Sequence, residues 1–488
     1  MVYAVLLSSL LLYLAFPNYL MTFGMPSLAW IFAMPFCWLL AGQRLFARAA
    51  LAGLVGLLFF GGFVSWMANY NFFGYLGFVL VLAVQFAIFA VFFPSNFKNA
   101  LVSLLYVPAA WVSAEYLHRW LLGGFSWTIG YSQAFNTPLI QIAAACGSHG
   151  VSFFLILTGY CLLQATRDYR RRWIYLTLAL FSPAILYLTG YFPLHRTPQA
   201  PHKTFSVLLL QPNISGEDRK NPDAVGKVLE RHIQLTASAL TGHSPQLIIW
   251  PETAITDDIF LEIYAQPLTY FIRQTGSNFL VGSALLRNKK DYNSAVLFDD
   301  KGIAADVYDK IHVVPFAEYV PDNGLMKFLA AHFRRNTFDF QPGRKPGLLR
   351  IGETVFGVTI CSEDHYPRLF RKLKNGGGEF AVVMLNDGWF NQDGALLIHA
   401  QSSVFRAVEN GLPILRDANT GLTASITGYG DILLNQSPPL NTPAFQPVEL
   451  AIKHNKTFYA KFGDLFAQTC LCFVIINFIK PLFRKTHE

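Results

Sequence analysis

The 488-residue chain is 53% hydrophobic and 14% charged, with a formal net charge of +8, a balance that excludes an ordinary soluble protein with a single core. The positive charge does not point to nucleic acid. The basic residues of the first half stand in short loops between apolar runs, and no basic stripe interleaved with aromatics follows them.

Before residue 200 the only acidic side chains are Glu115 and Asp168, whereas 203–460 has the mixed charge of a water-exposed domain. One half belongs in lipid and the other in water. Apolar runs near 2–16, 27–41, 50–68, 75–93, 100–117, 149–165, 174–192 and 465–483 are expected to form helices, because only internally hydrogen-bonded segments are tolerated in a bilayer. The first run lacks a basic flank and another apolar run follows at once, which reads as a retained helix rather than a cleaved signal peptide.

The loops predict an orientation. Arg44, Arg48, Lys98, Arg167, Arg170, Arg171, Arg172, Arg484 and Lys485 fall on one side, while the alternate loops 17–26 and 69–74 carry no charge. Excess basic loops stay in the cytoplasm, so both termini are expected there and the large domain outside. The expected division is a helical bundle of about seven spans over 1–193, a Pro-rich linker over 194–203, a catalytic domain over 204–464, and a last helix with a basic tail over 465–488. Within the bundle, the segment 118–148 is rich in aromatics, including Trp127 and Tyr131. It reads either as an anchor at headgroup level or as the wall of a lipid path. Glu115 and Arg119, four residues apart, are candidates to pair at the membrane edge.

In the water-exposed part, apolar runs of strand length recur at Phe205–Leu210, Leu247–Trp250, Phe279–Ala284, Val355–Ile360, Phe380–Leu385 and Leu412–Leu415. Helical patterns stand near 222–241, 257–274, 364–374 and 395–410. Continuous rather than alternating hydrophobicity predicts strands covered on both faces, hence a layered α/β domain. Polar residues appear where these runs end: Glu252 after QLIIWP, Lys310 after DVYD and Cys361 after VFGVTI. Cys361 is the only cysteine in this half, and no metal-binding cysteine pair accompanies it. Singly, each residue has a plain reading: a helix-start carboxylate, a solvated ammonium, a packed thiol. Together they form a sufficient acyl-transfer set without metal or cofactor. A carboxylate can take the thiol proton, and an ammonium can stabilise the oxyanion beside the backbone N–H that follows the cysteine.

The segments WPETAI (Trp250–Ile255), YDKIHVVPFAEYVP (Tyr308–Pro321) and ICSED (Ile360–Asp364) resemble the three signature segments of the nitrilase superfamily. With the apolar runs on both sides, GFSW and GYSQ in the first half, NDGWF (Asn386–Phe390), RAVENGLPILRDANTG (Arg406–Gly421) and TFYAKFGD (Thr457–Asp464), the whole chain resembles the bacterial apolipoprotein N-acyltransferase family. That resemblance implies a multi-span helical membrane domain joined to a nitrilase-like αββα sandwich. It implies Glu252 as general base, Lys310 as oxyanion stabiliser and Cys361 as nucleophile, with Glu318, Glu363 and Ser362 supporting the site. It also implies an inner-membrane enzyme that needs no cofactor and moves an acyl chain from a phospholipid, typically phosphatidylethanolamine, to the α-amine of a lipoprotein's diacylglyceryl-cysteine. A monomer is expected. Asn386, Trp389, Phe390, Asn419, Trp127 and Tyr131 are candidates to contact substrate, each with a plain packing or turn reading beside it. Gly324–Phe333 is a candidate lid, and His312, His365 and His399 read as structural.

Several positions depart from the family pattern. Ser362 stands where tyrosine is usual, Ala317 replaces a glycine, Gly388 replaces an alanine, and no tryptophan follows Gln211–Asn213. These departures bear on donor selectivity or on the second half-reaction rather than on the three central residues. Two other readings remain open: a membrane-tethered nitrilase-type amidase for small amides, and a non-enzymatic scaffold for a partner glycosyltransferase.

Overall fold

The computed structural model describes residues 1–69, 71–94, 100–194, 203–220, 225–315, 317–319, 339–388, 393–452 and 456–484. The chain divides into two compact units, one of Met1–Pro198 with Thr457–Glu488 and one of Gln199–Lys456. The candidate lid 324–333 lies outside the described residues.

Each apolar run of the first unit is helical. The helices are Val2–Ala15, Ala29–Leu40, Leu45–Phe63, Phe72–Phe92, Ala100–Leu121, Ser148–Arg167, Arg172–Leu194 and Leu465–Arg484. Leu45–Phe63, Phe72–Phe92, Ser148–Arg167 and the stretch Tyr169–Phe192 are long and apolar enough to cross a membrane, and they make this a membrane protein. Gly159 permits close approach of two helices: a Cβ there would stand 2.8 Å from the Ala33 side chain.

The aromatic segment turns inward instead of lying at the surface. Trp127 is buried against Phe16, Phe59, Phe60 and Phe63, with ring centroids 4.8–5.7 Å apart, and Tyr131 is buried as well. Glu115 and Arg119 do not pair with each other. Glu115 accepts from Trp111 Nε1 (2.8 Å), Ile129 N (2.9 Å) and Ser152 Oγ (3.0 Å). Arg119 makes a two-pronged bond to Asp464 at 2.9 and 2.7 Å, and Tyr459 donates to the same carboxylate. A carboxylate on the facing segment matches the guanidinium fork better than one along the same helix.

The second unit is an α/β sandwich. Strands β1 (Lys203–Gln211), β2 (Leu247–Ile255), β3 (Asn278–Arg287), β4 (Lys290–Phe298), β5 (Ala304–Asp309), β6 (Gly347–Ile351), β7 (Thr354–Ile360), β8 (Phe380–Leu385), β9 (Ile414–Ala418), β10 (Ala424–Ile426) and β11 (Ala444–Ile452) form two sheets. Their orders are β11-β1-β2-β3-β4-β5 and β10-β9-β8-β7-β6. β1, β2 and β3 run parallel, as do β7, β8 and β9. Buried apolar side chains from both sheets, among them Leu209, Ile249, Leu280, Val358, Ile360 and Met384, fill the space between them. The opposite face of the first sheet packs on the helices Val225–Leu240 and Glu262–Thr275. The helices Pro367–Asn375 and Asp393–Asn410 pack on the second sheet. Central strands covered on both faces explain the continuous apolar runs.

Candidate active site

Glu252 sits at a bulge within β2, while Lys310 and Cys361 directly follow β5 and β7. Pairing of β2 with β3 slips between Trp250 and Ile255, and Thr253 takes a positive φ of 45° directly after Glu252. Gly282 on β3 makes room for this bulge, since a Cβ there would lie 2.2 Å from the Pro251 carbonyl oxygen and 2.7 Å from Thr253 N. Cys361 follows β7 with φ of 53° and begins the one-turn helix Cys361–His365. Non-glycine residues in this region store strain, which the surroundings must hold in place. Lys310 follows β5. Its N–H donates to the Asn293 carbonyl (2.9 Å), and its own carbonyl accepts from Gly343 N (2.7 Å).

The side chains converge. Lys310 Nζ lies 2.9 Å from Glu318 Oε1 and 3.7 Å from Glu252 Oε1, and Lys310 is only 1% exposed. Asn293 Nδ2 donates to both carboxylates, at 2.8 Å to Glu252 and 3.1 Å to Glu318. Glu318 Oε2 accepts from Val314 N at 2.7 Å, which fixes its loop. Burial alone would pull the Lys310 ammonium toward the neutral form. Glu318, a Cys361 thiolate and Glu252 reverse the sign and hold the proton on it. Burial pushes the half-buried Cys361 thiol well above its usual range, Glu252 adds to that, and Lys310 opposes both. Burial and the Glu252 charge thus favour the thiol form of Cys361, against the opposing charge of Lys310.

Glu363 is the tie between two of these strand ends. Its carboxylate accepts from Tyr308 Oη (2.7 and 2.9 Å), Ile311 N (2.7 Å), His312 N (3.0 Å) and Ile360 N (2.8 Å). Burial raises its pKa, opposed by the Ile360 N–H, Lys310, the His312 N–H and the Tyr308 hydroxyl. One side chain thus spans the Lys310 loop and the cysteine turn.

The structure brings Glu252, Lys310 and Glu318 into direct contact and puts Cys361 within their electrostatic reach. Ser362 is half-buried beside Cys361. Asn419 Nδ2 donates to Asn386 Oδ1 (3.0 Å) and to the Ile214 carbonyl (3.0 Å), while Asn419 Oδ1 accepts from Ile214 N (3.0 Å). This pair pins the turn after β1. Trp389 and Phe390 lie outside the described residues, and Trp127 and Tyr131 belong to the helical unit. Asn293 and Tyr308 were not among the sequence candidates. Asn293 lies inside β4, and only the carboxylates that it meets reveal its part in the site. His312 stacks on Tyr366 with centroids 3.6 Å apart and planes 8° apart. Among the described residues, Asp364, His365 and His399 bring donor atoms within 4.8 Å of one another, the spacing a metal ion needs, but Arg416 already meets the Asp364 charge at 3.0 Å.

Residues 8–161 match the apolipoprotein N-acyltransferase N-terminal domain, and residues 209–435 match the carbon-nitrogen hydrolase domain. The chain is 32% identical to the apolipoprotein N-acyltransferase of Geobacter metallireducens, over 95% of this chain and 92% of that one. It is 27% identical to apolipoprotein N-acyltransferase 1 of Treponema denticola, over 97% and 96% of the two chains. With the enzyme of that name from Thermotoga maritima it shares 28%, over 88% and 81%.

Proposed function

Because the chain belongs to the apolipoprotein N-acyltransferase family, we propose that it moves a fatty acyl chain from a membrane phospholipid, phosphatidylethanolamine first among them, through a Cys361 thioester to the α-amine of a lipoprotein's N-terminal diacylglyceryl-cysteine. The observation that carries this reading is the buried Lys310 ammonium held between Glu252 and Glu318 and coupled to the Cys361 sulfur. In the first half-reaction Glu252 takes the thiol proton and the thiolate attacks the lipid ester carbonyl. Lys310 and the Ser362 N–H meet the oxyanion. The carbon–oxygen bond then breaks, and Glu252 returns the proton to the departing lysophospholipid oxygen. In the second half-reaction Glu252 accepts a proton from the incoming amine as nitrogen attacks the thioester. The carbon–sulfur bond breaks, and the thiolate regains its proton from Glu252, which closes a ping-pong cycle without metal or cofactor.

The basic loops support a location in the inner membrane with both termini in the cytoplasm and residues 204–464 outside. Both substrates are lipid-anchored, which suits a monomer whose reactive domain is tethered by apolar helices. The test is mass spectrometry of purified protein incubated with phosphatidylethanolamine. A fatty acyl adduct on the Cys361 peptide, removed by neutral hydroxylamine, is expected. An unmodified Cys361 together with hydrolysis of small amides would replace this reading with an amidase. Normal lipoprotein maturation by Cys361→Ala would leave only a scaffold.

A further inference from the structure

Behind the cysteine turn lies a buried polar group that the acyl-transfer steps do not use. Asp364, three residues after Cys361, is fully buried, as are Asp387 and Arg416, and His399 is 6% exposed. His399 Nδ1 stands 2.9 Å from Asp387 Oδ1, and His399 Nε2 stands 3.4 Å from Asp364 Oδ1. Asp364 Oδ2 accepts from Arg416 Nη1 (3.0 Å) and from Ser403 Oγ (2.7 Å), and Arg416 Nη2 is 3.7 Å from Asp387 Oδ2. The His365 ring lies parallel to that of His399, with its Nε2 4.0 Å from Asp364 Oδ1. His399 sits on the Asp393–Asn410 helix, Arg416 on β9, and Asp387 just after β8.

Charge and geometry lead to the same protonation state. Two buried carboxylates face a single guanidinium, so one negative charge needs a cationic imidazole, and His399 meets both carboxylates (2.9 and 3.4 Å) where His365 reaches only Asp364 at 4.0 Å. A neutral ring donating from Nδ1 to Asp387 would leave Nε2 as a bare acceptor 3.4 Å from the Asp364 Oδ1 acceptor. Protonation of both nitrogens removes that conflict and balances the cluster.

We infer that His399 is held as an imidazolium and acts as a positioning residue for Cys361, bracing the nucleophile's turn through Asp364 against the Asn386–Gly388 turn through Asp387 and screening the sulfur from the Asp387 carboxylate. The proposal rests on Cys361 being the nucleophile. Burial opposes a charge on His399, but Asp387 and Asp364 outweigh it and raise its pKa to about 10. Asp387 is also among the groups that disfavour the Cys361 thiolate. The strained φ of Cys361 gives the brace a purpose, since a turn of that conformation relaxes unless both of its sides are held.

The test needs neither lipid nor lipoprotein, so its failure is distinct from failure of the acyl-transfer reading. Alkylation of Cys361 by iodoacetamide, followed on its own peptide across pH, should move upward by about one pH unit in His399→Gln, because a buried negative charge is left uncompensated. Adding Asp387→Asn to His399→Gln should bring the profile back toward wild type, a rescue that lost packing would not give. In turnover, His399→Gln should lower kcat about tenfold or more with KM little changed, as expected for a group acting through another. An unmoved alkylation profile, or a double variant no better than the single one, overturns the proposal. If the variants do not fold, 15N spectra of histidine-labelled wild type decide it. Both His399 ring nitrogens should remain protonated at pH 8, and a neutral ring there overturns the proposal. So does a stoichiometric metal ion that copurifies and is lost in His365→Ala.

Discussion

The Tyr308 hydroxyl donates to the Glu363 carboxylate at 2.7 Å, joining the end of β5 to the turn that presents Cys361. A hydrogen bond to a buried charged group contributes about 1.5–3 kcal/mol. Tyr308→Phe should therefore lower the thermal unfolding midpoint in detergent while the backbone donors keep Glu363 in place. Glu363→Gln should cost more, because one of its two acceptor oxygens becomes an amide facing N–H donors. An order in which Tyr308→Phe is the more damaging would contradict this account.

Lys310 is expected to matter more for turnover than its surface-like residue type suggests. On the proposed mechanism Lys310→Met removes the oxyanion partner and should reduce kcat on a diacylglyceryl peptide by about 10²–10³. The same change leaves the Glu252 and Glu318 carboxylates, both held by Asn293, without the ammonium that stands between their charges. Lys310→Arg keeps the charge but cannot place it at one point, and should recover little activity. Circular dichroism of each variant separates loss of fold from loss of chemistry.

Gly282 offers a test of how tightly Glu252 is placed. A methyl group at this position meets the Pro251 carbonyl at 2.2 Å, and backbone cannot yield as a side chain tip can. Gly282→Ala should cost about 1–3 kcal/mol of stability and lower kcat although residue 282 touches no reacting atom. Full activity in that variant would mean that the β2 bulge is dispensable.

His312 predicts a pH dependence of stability. Burial, with the charges of Lys372 and Lys310 adding to it, lowers its pKa from 6.5 to about 4. Between those values the unfolded chain binds a proton that the folded chain does not, so stability rises with pH across this window and is lost as pH falls from about 6.5 to about 4. Unfolding midpoints of wild type should drop over that interval. His312→Phe, which keeps a ring over Tyr366, should flatten the dependence.

The central strands were legible in the sequence because they are covered on both faces, as the unbroken burial of Phe380–Leu385 illustrates. β11 was not, since its burial alternates from residue to residue at a sheet edge, and β5 is largely exposed at the opposite edge. Glu252, Lys310 and Cys361 stood out because each ends an apolar run. Asn293 stayed hidden inside one, where a polar residue in β4 carries no local signal until the facing carboxylates are known. Arg119 could not be matched to Asp464 from spacing, because 345 residues separate them. The inward turn of Trp127 was equally invisible, as its partners come from two other helical regions.

The Arg119–Asp464 bond has a bearing on biosynthesis. Its two members lie in one compact unit, yet the entire Gln199–Lys456 unit is translated between them. A chain that lacks the segment carrying Asp464 therefore holds Arg119 without this counter-ion. Breaking a buried pair of this kind costs about 3–5 kcal/mol. Asp464→Asn, which leaves the guanidinium without its charge partner, should accordingly lower the unfolding midpoint of the helical unit.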